Sequence, residues 1–95
     1  MNNSYASPVG IIRKDIYIIK NDINTKVYIG QALDSKKRFQ SHCKKNSDNS
    51  LIDKAIQKYG KENFWFEILE SQIENYNERE KYWIKYYNSL KPFGY

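Results

Sequence analysis

The segment "IENYNEREKYWIKYYN", residues 73–88, places a carboxylate where an ionised group is costly. On a helix turning about 100° per residue, Tyr76, Trp83, Ile84 and Tyr87 share one apolar stripe with Ile73. Glu80 falls in the middle of that stripe, and Glu78 falls on the opposite side. A buried charge needs a partner, so Glu80 reads either as half of an ion pair, with Arg38 as its mate, or as a metal ligand at the edge of the core. Arg38 and His42, the chain's single histidine, stand four residues apart, so a helix projects them from one face beside the apolar edge of Phe39 and Cys43. The plainer alternatives are an exposed cation and a locally bonded surface histidine. Tyr17 and Tyr28 form the third pairing. They lie in two β-branched runs, residues 16–19 and 27–29, around the turn-rich "NDIN".

These side chains need elements to hold them. With Asn21 to Asn24 as a four-residue loop, Lys20 pairs with Thr25 and Tyr17 lies directly opposite Tyr28, on the same face of a hairpin. Ile16, Ile18, Val27 and Ile29 then line the core face, and the tyrosines take the less apolar one. A cross-strand aromatic pair that only stabilises the hairpin is the simple reading of that arrangement. Asp34 is placed to cap a helix over residues 35–45. Ser50 with Asp53 fits a capping box, opening a second helix whose apolar face is Leu51, Ile52, Ala55, Ile56 and Tyr59 and whose end is Gly60. "FWFEIL", residues 64–69, reads as a third strand with Phe64, Phe66 and Ile68 on one side. Residues 1–10 read as a flexible tail, and residues 11–95 as one domain.

Ninety-five residues allow one modest core, burying about 60 to 68% of the unfolded surface. A lone Cys43 excludes an internal disulfide, and the polar start lacks a signal-peptide core, so an intracellular, cytoplasmic chain is expected. No apolar run is long enough to span a membrane. The net charge of +5 is uneven: residues 31–61 hold eight Lys/Arg against three Asp, while the flanking segments cancel. That basic middle suits nucleic acid, or else is a solvated lysine-rich face.

Five fragments occur in order: "IY" at 16–17, "YIG" at 28–30, "RFQSH" at 38–42, "QKYGKENFWFEILE" at 57–70 and "NEREKYWIKYYNS" at 77–89. Together they resemble the GIY-YIG nuclease superfamily, especially the catalytic domains of phage and intron homing endonucleases, over about residues 14–95. The resemblance implies an α+β fold, a small three-stranded antiparallel β-sheet flanked by helices. It implies a DNA endonuclease with one Mg²⁺ or Mn²⁺ held by Glu80, and Tyr17, Tyr28, Arg38, His42 and Glu80 around the scissile phosphate.

On that resemblance Arg38 offers paired donors to phosphate and Tyr17 is the candidate base, with Tyr28 and His42 orienting water and phosphate or His42 sharing the base role. A phenol with a pKa near 10 is only about 0.1% ionised at neutral pH, so either neighbouring cations lower the Tyr17 pKa or metal-bound hydroxide relays the proton. Lys26, Lys36, Lys37, Lys44 and Lys45 are the expected nucleic-acid contacts. Two departures stand out: Asp15 occupies the place of the first motif's glycine, and the chain stops at Tyr95, where members often continue with an asparagine near the site. A longer parent with a downstream DNA-recognition domain is therefore expected. The competing function is a catalytically weak basic module that binds nucleic acid, and a third is a protein-interaction domain using its tyrosine surface.

Overall fold

The computed structural model describes residues 10–44, 50–88 and 94–95. Of the expected tail, all but Gly10 lies outside the described residues, as does Lys45. Strand β1 (Lys14–Asn21) is the centre of a three-stranded antiparallel sheet, flanked by β2 (Tyr28–Ala32) and β3 (Phe64–Ile73). Among the described residues three α-helices complete it: α1 (Ser35–His42), α2 (Leu51–Tyr59) and α3 (Tyr76–Tyr87). The short 3₁₀ turn Lys61–Asn63 leads into β3.

The "IYII" run of β1 is buried on both faces, which the hairpin alone did not predict. Tyr17 and Ile19 pack with Ile52, Ala55 and Ile56 of α2, and with Phe39 and Cys43 from the α1 side. Ile16, Ile18 and Ile29 meet Tyr76, Trp83, Ile84 and Tyr87 of α3 on the other face. The expectation that the tyrosines take the less apolar face is thus corrected, because α1 and α2 cover that side and make it the larger core. Burying both faces of a strand lets every apolar residue along it contribute, at roughly 25 cal/mol per Å² removed from water.

The hairpin register also differs from the expected one. Ile19 is paired with Tyr28 and Tyr17 with Gly30, a shift of two residues. The cause is the turn: Asn21 Oδ1 accepts from the N–H groups of Ile23 and Asn24, and Asn24 Oδ1 accepts from that of Lys26. These side-chain bonds satisfy a longer loop than four residues. A shift of two preserves side-chain parity, so Tyr17 and Tyr28 still share a face, now as diagonal neighbours. Tyr95 is tied to the same region, its N–H donating to the Val27 carbonyl at 3.0 Å and its hydroxyl accepting from Asn24 Nδ2 at 2.9 Å.

Asp34 caps α1 as expected, accepting from the Lys37 N–H, but the helix ends at His42 rather than at residue 45. Ser50 caps α2 by accepting from the Asp53 N–H, and Gly60 closes it at φ 96°, a conformation that favours glycine. Strand β3 extends past residue 69. Ile68 is half exposed and lies outside the core packing of Phe64 and Phe66.

The extension of β3 is explained by Asp15, which is buried. Its carboxylate accepts from Ser35 Oγ at 2.9 Å, from Ser71 Oγ at 3.4 Å, and from both the N–H and the Nε2 of Gln72 at 3.0 Å. One side chain thereby ties β1 to the start of α1 and to the end of β3. Burial pushes the Asp15 carboxyl up, but the bonds from Gln72 and Ser35 outweigh it and hold its pKa below the ordinary 3.8. A depressed carboxyl contributes stability that is present above the unfolded pKa and lost as pH falls through the folded one. Asp15→Ala should therefore cost about 1 to 3 kcal/mol in urea unfolding at neutral pH. The gap from the wild type should shrink as pH falls below about 4; a gap that stays constant into acid would show that the carboxylate is not the source of the loss.

Candidate active site

Tyr17 has no exposed surface, and Gly30 explains how its hydroxyl fits. A Cβ built on Gly30 would stand 2.6 Å from Tyr17 Oη, 2.7 Å from Tyr17 Cζ and 2.8 Å from Tyr28 Cε2. The glycine of "YIG" is required here by close approach, not by backbone twist. The two tyrosine rings lie 6.1 Å apart, and the Tyr28 ring meets the His42 ring edge-on at 5.3 Å.

His42, at the last turn of α1, points inward and is buried. Its Nε2 is 3.2 Å from Tyr17 Oη, and its Nδ1 is 2.5 Å from Asp53 Oδ1. Asp53 is itself buried in the first turn of α2. Sequence reading saw Asp53 only as the second half of a capping box. The Ser50 half of that box forms, but the carboxylate turns to the histidine instead. The available signal was an acid at the rim of the Ile52, Ala55 and Ile56 face, the same kind of anomaly that singled out Glu80.

Burial pushes the Tyr17 hydroxyl far above its ordinary pKa of 10, Tyr28 adds to the rise, and Arg38 opposes it. Burial raises Tyr28 as well, again against Arg38, with Glu80 contributing a smaller upward push. Arg38 is thus beside both phenols, and Glu80 is near enough to act on one of them. Arg38 does not offset the burial, so the Tyr17 hydroxyl rests as a neutral phenol.

Arg38 is exposed and lines a groove of about 750 Å³ together with Lys14, Gln31, Asp34, Lys37 and Ser41. Gln31 connects this groove to α3, where its Nε2 donates to Glu80 Oε1 and to Asn77 Oδ1, each at 2.9 Å, while its Oε1 accepts from Lys14 Nζ at 3.1 Å. Glu80 is half-buried, and no ion pair joins it to Arg38 among the described residues. Glu70, on β3 beside this helix, is occupied: it accepts from Arg79 Nε at 2.6 Å and from Trp83 Nε1 at 2.7 Å. Lys14 and Gln31 were not singled out in the sequence.

Of the expected nucleic-acid lysines, Lys37 lines the groove, and Lys36 is exposed on the same helix. Lys44 borders a separate hollow with Phe39, Gln40, Cys43 and Lys61. Lys26 lies over the Tyr95 ring, 5.8 Å from its centre. Among the described residues no three His, Cys, Asp or Glu side chains gather as a metal cage. Glu80 with a polar neighbour fits a different design, because Mg²⁺ keeps several waters and needs only one or two carboxylates.

Residues 13–95 match the GIY-YIG catalytic domain, and the chain belongs to that family. It is 38% identical over 91 residues to intron-associated endonuclease 1 of Enterobacteria phage T4, covering 88% of this chain and 36% of that protein. Probable intron-encoded endonuclease 1 of Neurospora crassa is 38% identical over 63 residues, or 63% of this chain and 21% of that one. The chain therefore spans only about a fifth to a third of the length of these curated relatives. Among solved structures, the catalytic domain of homing endonuclease I-TevI aligns with a TM-score of 0.71 at 38% identity, over 87% of this chain and 96% of that domain. The expected α+β fold is the one observed.

The packing at Gly30 yields a direct test. Gly30→Ala should cost about 1 to 3 kcal/mol by overpacking against the two rings. Combining it with Tyr17→Phe, which deletes the nearest atom, should recover part of that loss in a double-mutant cycle by urea unfolding. Strictly additive costs would show that the Tyr17 hydroxyl is not what excludes a side chain.

Proposed function

We propose that this chain is the catalytic domain of a metal-dependent DNA endonuclease, acting inside the cell. The observation that carries this reading is the gathering of Tyr17, Tyr28, Arg38 and His42 about one point beside a cation-lined groove, with Glu80 linked to it through Gln31. The GIY-YIG membership and the similarity to intron-associated endonucleases support the same chemistry. DNA is the partner, and sequence selectivity resides in a recognition region of the parent polypeptide outside these residues.

Hydrolysis of a phosphodiester needs a phosphate held in place, a water deprotonated and charge on phosphorus stabilised. Arg38 presents a planar guanidinium to the phosphate oxygens, while Lys14, Lys37 and Lys36 hold neighbouring phosphates. Among the neighbours of the Tyr17 hydroxyl, Arg38 is exposed, whereas Tyr28 is half-buried and His42 buried. Arg38 is therefore the neighbour free to turn onto phosphate, on the side from which the attacking water approaches. Tyr17 then accepts a proton from water as it passes its own to His42, which avoids a free phenolate. Tyr28 orients the phosphate and packs against the histidine ring. Glu80 would hold a single Mg²⁺ or Mn²⁺, which when bound supplies Lewis-acid stabilisation of phosphate charge.

Nicking of supercoiled plasmid with and without Mg²⁺ tests the proposal. Salt-sensitive binding that weakens from about 50 to 200 mM salt without any nicking would favour the binding module instead. Glu80→Gln keeps an oxygen for Gln31, so nicking should collapse while the melting temperature holds. Glu78→Gln, on the exposed side of α3, should change neither. A Glu80→Gln protein that nicks at the wild-type rate would remove the metal assignment.

Arg38→Lys keeps the charge but loses the two-donor fork, and nicking should fall by about 10²-fold at unchanged stability. Wild-type nicking by that variant would make Arg38 a surface cation only.

A further inference from the structure

Asp53 has a backbone role that does not need its side chain. Its N–H completes the Ser50 cap, yet its carboxylate is buried and aimed at His42 Nδ1 from a different helix. Three side chains from three elements thus stand in line: Asp53 of α2, His42 of α1 and Tyr17 of β1. The chemistry of the end members fixes the middle one. An ionised carboxylate only accepts, so the proton between Asp53 and His42 belongs to Nδ1. A neutral imidazole with its proton on Nδ1 has its lone pair on Nε2, facing the Tyr17 hydroxyl, and the tyrosine donates to it.

We propose that Asp53 is a positioning residue of the reaction: it holds His42 in the Nδ1–H tautomer, so that Nε2 is free to take the Tyr17 proton. This rests on the endonuclease reading above and adds to it the residue that makes His42 a base. In the step, water gives a proton to Tyr17 Oη as the phenolic proton moves to His42 Nε2. The water oxygen forms its bond to phosphorus, and the ester bond to the departing oxygen breaks with its electron pair, that oxygen taking a proton from solvent. The imidazolium formed carries N–H on both nitrogens, is stabilised by the Asp53 carboxylate and returns its extra proton to solvent. Asp53 stays ionised throughout. In hydrolases with a Ser-His-Asp arrangement, exchanging the aspartate for asparagine lowers kcat by about 10⁴ through the wrong tautomer.

A purely structural Asp53 would accept from Nδ1 in the same way but would govern no chemical rate, so the rate of Asp53→Asn separates the two roles. The premise is checked first, by a measurement on the wild-type chain alone: ring ¹⁵N–¹H correlation spectra of His42 above neutral pH. The proposal expects the proton on Nδ1, and a proton on Nε2, alone or together with one on Nδ1, overturns it. The second is single-turnover nicking by Asp53→Asn across plasmid concentrations. The saturating rate should fall by about 10²- to 10⁴-fold, with the half-saturating concentration unchanged within about twofold. Asp53→Asn nicking at the wild-type saturating rate also overturns it. If Asp53→Asn does not fold, the wild-type spectrum still stands against the proposal when it shows a proton on Nε2, because that nitrogen could not then take the phenolic proton. A wild-type chain that never nicks DNA would refute the endonuclease reading, and the tautomer, read without substrate, would still test what Asp53 does.

Discussion

A phenol hydroxyl buried in the central strand of a small sheet is the constraint on which the molecule turns. Tyr17 is covered on every side, and a buried hydroxyl without a partner costs on the order of 1 to 3 kcal/mol. The histidine at the end of α1 meets that need, and being buried itself it needs an acceptor for its second nitrogen. The acid in the first turn of α2 supplies it. Each requirement for satisfaction thus recruits the next element, so α1 and α2 are set against β1 by polar bonds as well as by Ile52, Ala55 and Ile56. Gly30 makes the whole chain of bonds possible by leaving room for the ring beneath it.

The candidate site lies where two layers meet. Tyr17, His42 and Arg38 belong to the side covered by α1 and α2, whereas Gln31 and Glu80 belong to the side covered by α3. Strand β2 is an edge of the sheet, so the groove takes Gln31 from one face and Arg38 from the other around that edge. A small domain can in this way bring together residues from opposite faces without passing anything through its core.

Much of this was legible in the sequence because it depended on periodicity. The Glu80 anomaly is a matter of helical angle, and the shared face of Tyr17 and Tyr28 is a matter of strand parity, which survives a register error of two. The caps at Asp34, Ser50 and Gly60 are local chemistry and were readable for that reason. What escaped depended on partners distant in the chain. The burial of the tyrosine face required knowing that two helices cover it. Gln31 gains its significance from Glu80, 49 residues away, through a bond that no local pattern announces, and the acid at the rim of the α2 apolar face, Asp53, gains its own from His42, 11 residues away.

Asp15 carries an evolutionary implication. It replaces a glycine of the family motif with a carboxylate that four donor groups from Ser35, Ser71 and Gln72 now surround. Exchanging Asp15 for glycine alone would take the shared acceptor away from Ser35, Ser71 and Gln72, and removing the donors alone would strand a buried charge. Residues 15, 35, 71 and 72 should consequently drift as a linked set, so that lineages sharing the acid share its donors even where the surrounding surface has diverged.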